Sequence, residues 1–182
     1  MKKIIISLLI VMCFTTIVKA QNEKYIGVNF AVDKNFNGQA SNYTWQNSTN
    51  VGLFFEHQFA KHWSYDFGAN IRNTYYPDKK FAIKIQSVIV PVSLKFVSNA
   101  INIGLTGYAD LYLSWKDLTD NVGSVQIGTY DAEKYNVGGY LTISKSIIVT
   151  RGLYVEPYIM GGTNMYSDII VALGVKLKMG FR

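Results

Sequence analysis

Trp63-Ser64-Tyr65-Asp66-Phe67-Gly68-Ala69-Asn70-Ile71-Arg72 is the stretch on which the fold turns. Its odd positions carry Trp, Tyr, Phe, Ala and Ile; its even positions carry Ser, Asp, Gly, Asn and Arg. A period of two belongs to a β-strand, whose successive side chains leave opposite faces. The end of the chain repeats the pattern. Ile169, Val171, Leu173, Val175, Leu177, Met179 and Phe181 share one face, and Ala172, Gly174, Lys176, Lys178, Gly180 and Arg182 share the other.

Working outward from these two stretches, the same alternation marks eight segments, at about 24–32, 49–59, 63–73, 83–96, 101–115, 135–145, 152–162 and 168–182. No helical period persists after residue 20. The connections alternate in length, with long ones at 33–48, 74–82, 116–134 and 163–167 and short ones at 60–62, 97–100 and 146–151. Small outer-membrane barrels show this asymmetry, with short periplasmic turns and longer external loops. The expected fold is therefore all-β, an eight-stranded antiparallel up-and-down transmembrane β-barrel over residues 21–182, with both termini on the periplasmic side.

Residues 1–20 read differently. Lys2 and Lys3 precede an apolar run from Ile4 to Val18, and Val18-Lys19-Ala20 stands before Gln21. This is the layout of a cleaved secretory signal, and the run is short for a membrane-spanning helix. Cys13 is the single cysteine and lies inside this segment, preceded by Met12 instead of the small residue a lipoprotein signal needs. The mature chain then has no thiol, disulfide or cysteine-based metal site. Loss of Lys2, Lys3 and Lys19 lowers the net charge from +6 to +3, and no basic block of the nucleic-acid-binding kind is present.

Which face meets lipid follows from charge and volume. The apolar face of the eight segments is expected to carry no Asp, Glu, Lys or Arg, because a charge at mid-bilayer costs about 2–4 kcal/mol. His57 and Pro157 are its oddities. An eight-stranded interior is just wide enough for side chains to fill, and it cannot take so many large apolar residues. The polar face carries Gly27, Gly52, Gly68, Gly104, Gly138, Gly162, Gly174 and Gly180, which leave room in a crowded lumen. Phe59, Trp63, Phe96 and Phe181 fall near periplasmic strand ends, and Trp115, Tyr75, Tyr76 and Phe81 near outer ends, as interfacial girdles would.

Two stretches carry a resemblance. Val88-Ile-Val-Pro91-Val-Ser-Leu-Lys95-Phe96, followed after a short turn by Ile103-Gly104 to Leu113, resembles the PorT-like outer-membrane β-barrel family, with its apolar Pro-x-x-x-Lys strand and following glycine-rich strand. The end, Gly174 to Phe181, resembles the C-terminal signal read by the barrel-assembly machinery, except that Arg182 follows the aromatic. The resemblance implies the architecture. Some relatives act in secretion or gliding, and no residue here carries that role across.

The candidate site is the set of lumen-facing charges: Glu56, Asp66, Arg72, Lys95, Asp110, Glu156, Lys176 and Lys178. Glu56 and Asp66 should be level neighbours across the turn centred on Lys61, with Lys95 and Lys178 as candidate counter-ions; Glu156 and Lys176 should be level across the last loop. Two like charges in a dry lumen repel unless a proton or cation intervenes. The reading favoured here is a balanced plug, since buried charges need partners; the competing one is an acid/base pair or proton path. Catalysis is not expected. Lipid A enzymes need a His/Ser/acid set near the outer leaflet, and the only histidines, His57 and His62, flank a periplasmic turn. No cofactor or metal is expected. The loops, with Tyr43 and Trp45 in one, Tyr130 in another and Lys34, Lys79, Lys80, Lys116 and Lys134 among them, are placed to meet lipopolysaccharide, a protein or a glycan.

Overall fold

The computed structural model describes residues 23–36, 45–77, 82–117, 135–166 and 168–181, and the side chains of residues 45, 76, 77, 82, 83 and 115–117 are outside that description. Residues 1–20, expected to be a leader, and much of the long connections likewise lie outside the described residues.

The strands are β1 Glu23–Phe36, β2 Trp45–Ala60, β3 Trp63–Pro77, β4 Ala82–Phe96, β5 Asn102–Asp117, β6 Tyr135–Ser144, β7 Ile147–Thr150, β8 Leu153–Asn164 and β9 Ile169–Phe181. Each pairs antiparallel with its neighbour, β1 with β9, and β6 with β8, so the sheet closes. The ring has eight positions because β7 pairs with β8 alone and extends the position of β6 beyond a break at Lys145 and Ser146. The connection expected at 146–151 is thus mostly strand. Its real turn is Arg151-Gly152, where Gly152 takes φ 83°, a conformation open to a residue without Cβ.

The strands also outrun their expected limits. β1 continues to Phe36 and β2 begins at Trp45, so the first long connection shrinks to 37–44. Closure has a definite stagger. Following paired residues around the ring from Glu23 runs through Gln58, Ser64, Lys95, Gly104, Thr142, Met160 and Ala172 to Asp33, ten residues further along β1. That shear tilts eight strands by roughly 40° to the barrel axis, inside the range of transmembrane barrels.

The packing is inverted relative to a water-soluble domain. Leu53, Leu105, Leu141 and Leu173 point outward at 59–65% exposure, whereas Glu56, Glu156, Asp33 and Asn102 are almost fully enclosed. Among the described residues charge is absent from the middle of the outer face but not from its rims: Lys24, Lys84 and Lys145 are exposed, which corrects the expectation of a wholly uncharged face, and Lys34, expected in a loop, is exposed on β1. On β1, Lys24 and Lys34 bracket Ile26, Val28, Phe30 and Val32. Ten residues at about 3.3 Å each, tilted by about 40°, give an apolar band ~25 Å tall.

Inside, large aromatics share the lumen with the polar groups. Phe54, Tyr108, Tyr140 and Tyr158 each lie against a glycine on an adjacent strand. A Cβ on Gly174 would run into the Tyr158 ring, and one on Gly138 into Tyr108. Several lumen glycines, Gly27, Gly138, Gly162 and Gly174 among them, are therefore sockets for aromatic side chains, whereas Gly52 makes room for Asn70. A small buried cluster of Ala31, Ile89, Tyr108, Tyr158, Met160, Ile170 and Ala172 completes the packing.

Candidate functional site

The eight charges singled out from the sequence all face the lumen, and they separate into two tiers. The lower tier, toward the short turns, joins Glu56 of β2, Asp66 of β3, Lys95 of β4, Glu156 of β8 and Lys176 and Lys178 of β9. Strand alternation aims each inward, and closure of the ring brings them together.

At its centre is an alternating ring. Lys95 Nζ donates to Glu56 Oε2 at 2.8 Å and to Glu156 Oε1 at 3.1 Å. Lys178 Nζ donates to the same Glu56 Oε2 at 3.0 Å and to Glu156 Oε2 at 2.5 Å. Hydroxyls fill the remaining positions: Ser64 donates to Glu56 Oε1, and Ser144 and Ser146 donate to the two oxygens of Glu156. Each carboxylate thus has two ammonium groups, the kind of complete pairing that offsets desolvation of buried charge.

Register puts Glu56 opposite Asp66 and Glu156 opposite Lys176. Level position does not decide the partners, however. Lys176 reaches across the lumen to Asp66 at 2.8 Å, and its ammonium also lies over the Phe54 ring. Three acids and three lysines leave this tier neutral.

The upper tier lies nearer the long loops. Arg72 pairs with Asp33 and, at 3.2 Å, with Asp110, and donates to Asn35 Oδ1 at 3.0 Å. Asp33 joins the lumen charges expected from the sequence, because β1 runs to Phe36 and not only to residue 32. The signal was present: Asn29, Ala31, Asp33 and Asn35 continue one inward file. Two acids and one base give this tier a net charge of −1. Between the tiers lie a cavity of about 30 Å³ touching Asp66, Asn70, Tyr140 and Lys176 and one of about 20 Å³ touching Asp33, Asn70, Arg72 and Tyr108. Spaces of this size hold about one or two waters.

The histidines sit on the outer surface near the turn at 61–62. His57 Nδ1 shares a hydrogen bond with the Tyr65 hydroxyl, and His62 Nδ1 donates to the Val97 carbonyl, each at 3.1 Å. No group of three or more histidine, cysteine or acidic side chains converges on a metal position among the described residues. Aromatics surround the same rim. Trp63 packs edge-on against Phe96, His62 stacks on Phe96, and Phe59 lies near Tyr65. Phe181 is exposed beside Phe55, while Gly174 faces inward under Tyr158. The backbone of Trp115 pairs with Ile85, and its side chain is outside the described residues, as are Tyr43, Phe81, Lys79, Lys80, Tyr130 and Lys134.

No family model matches the chain. No curated protein matches it either. Among solved structures, it is similar to Ail, the attachment invasion locus protein of Yersinia pestis, with TM-score 0.54 and 8% identity over 88% of this chain and 99% of that one. Weaker likenesses are to Neisserial surface protein A, NspA (TM-score 0.48, 14% identity, 87% and 97% covered), and to outer membrane protein AlkL in lipid bilayers (TM-score 0.47, 8% identity, 89% and 91% covered). The chain therefore has the fold of a small closed β-barrel, shared with Ail over nearly the whole of that protein's length.

Proposed function

We propose that this chain is an integral outer-membrane barrel of the PorT-like type, with a structural or surface-interaction role and a lumen closed by paired charges. The observation that carries this reading is the inverted packing: an apolar exterior ~25 Å tall between rim lysines, over a polar interior whose lower tier of charges is fully paired. A closed barrel satisfies every strand edge, which an apolar bilayer demands. The aromatics at the short-turn rim suit a membrane–water interface. The Pro91-to-Lys95 strand and the Gly174-to-Phe181 ending support the family reading and passage through the barrel-assembly machinery.

The role is one of binding and not of catalysis. His57 and His62 lie at the short-turn end, away from the external loops, and have local hydrogen-bond partners. The partners that fit are outer-membrane lipid, lipopolysaccharide phosphates near Lys34 and the loop lysines, and a protein or glycan at the loops. A part in a secretion assembly fits the same surface. The test combines fractionation with gel mobility. The protein should sediment with the outer membrane and migrate faster unboiled than boiled. Reconstituted into planar bilayers it should be silent. Recovery from the periplasm with one mobility sinks the membrane reading; steady conductance sinks the closed lumen and favours a narrow channel.

A further inference from the structure

The two tiers of lumen charge are built alike, except that one is incomplete. In the lower tier two carboxylates, Glu56 and Glu156, are bridged on both sides by cations, Lys95 and Lys178. In the upper tier two carboxylates, Asp33 and Asp110, share one cation, Arg72, which uses Oδ2 of each. Their other oxygens, Asp33 Oδ1 and Asp110 Oδ1, are buried without a hydrogen-bond partner among the described residues. Ser48, the register neighbour of Asp33, lies 2.9 Å from the Thr74 hydroxyl.

We propose that the upper tier binds a monovalent alkali cation, held by Asp33 and Asp110 opposite Arg72, as the missing fourth member of a ring like the one below. Independent observations point to the same occupant. Asn70 and Asn136 are each at least nine-tenths buried, and each has an amide oxygen without a partner. Asn136 pairs in register with Asp110, and Asn70 lines the ~20 Å³ cavity with Asp33 and Arg72. The Tyr108 hydroxyl, on the same cavity, is also unpartnered. Buried polar atoms of this kind call for a water or an ion. Carboxylate, amide and hydroxyl oxygens form a hard donor set, suited to alkali and alkaline-earth ions and not to soft metals. The charge then chooses between those two groups. Among Asp33, Asp110 and Arg72 a net −1 is cancelled by one positive charge, and a divalent ion would leave this trio at +1; Asp168, held by Asn164 at the β8–β9 connection, stands outside that count. The ~20 Å³ cavity, lined by Asp33, Asn70, Arg72 and Tyr108, has room for about one water-sized occupant on the Asp33 side of Arg72.

The proposal does not depend on the membrane reading, because it rests on the lumen alone. The full chain, purified in detergent, is melted in sodium, potassium or choline chloride at matched ionic strength, with the gel shift as readout. A ligand held only by the folded state raises its stability by mass action. Sodium or potassium should raise the midpoint by a few degrees, saturably, relative to choline. Asp110→Asn, which brings the tier to neutrality, should abolish the difference. If that variant does not fold, ²³Na line broadening by the unmodified protein, displaced by excess potassium, decides alone. Equal midpoints in all three salts, without sodium broadening, overturn the proposal. Response to calcium or magnesium alone overturns the monovalent assignment.

Discussion

Lys95 and Lys178, on strands four positions apart around the barrel, bind the same two carboxylates. Removal of either lysine leaves Glu56 and Glu156 with the other, so neither acid loses its last cation. Removal of both strands two buried carboxylates. Breaking a buried pair by deleting one partner usually costs about 3–5 kcal/mol. Here each single alanine substitution should cost less, about 1–3 kcal/mol, and Lys95→Ala/Lys178→Ala should cost more than the sum. Urea unfolding of the four proteins in detergent gives the coupling energy directly. Strict additivity would mean that the ring does not act as a unit.

The alternation seen in Trp63–Arg72 and Ile169–Phe181 places the eight positions of the ring and says which face looks inward. That legibility has a physical cause: successive residues of every strand alternate between the outer face and the packed lumen, so the pattern is written locally. The ion-pair partners are not local. Glu56 and Glu156 are far apart in the chain and meet only because the sheet closes with its particular stagger. Lys176 is level with Glu156 yet bonds Asp66, a choice made by reach across the lumen. Asp33 is not legible as a lumen charge because it opens the polar stretch 33–48, which reads as a connection, whereas β1 runs on to Phe36. The strand at Ile147–Thr150 is not legible because it is exposed on both faces and carries no alternation.

Glycine at position 174 should be replaceable only if Tyr158 goes too. Added atoms there meet the Tyr158 ring, which is itself held by a hydrogen bond to Asn29 at 2.8 Å. Overpacking of this kind costs about 1–3 kcal/mol. Gly174→Ala should therefore destabilise the barrel by that amount, and by much less in a Tyr158→Ala background. Gly161 is the internal control, because nothing lies within 4 Å of its missing Cβ. Gly161→Ala should be neutral or slightly stabilising, since glycine weakens a strand it is not needed in. Equal effects at 174 and 161 would show that the sockets are not sterically required.

The outer face gives the most direct separation of a lipid-embedded barrel from a water-soluble one. Phe30, Val32 and Lys34 lie in one outward file on β1, from the middle of the apolar band to its rim. In lipid, arginine near the bilayer midplane costs about 2–4 kcal/mol and the cost falls toward the interface. Phe30→Arg should thus weaken folding into lipid vesicles most, Val32→Arg less, and Lys34→Leu hardly at all. In water the same exposed positions would tolerate arginine to within about 0.5 kcal/mol, with no order among them. A graded loss along this file, measured by urea titration in vesicles, is the signature of depth in a bilayer. A flat response would mean that the apolar face is covered by something other than lipid.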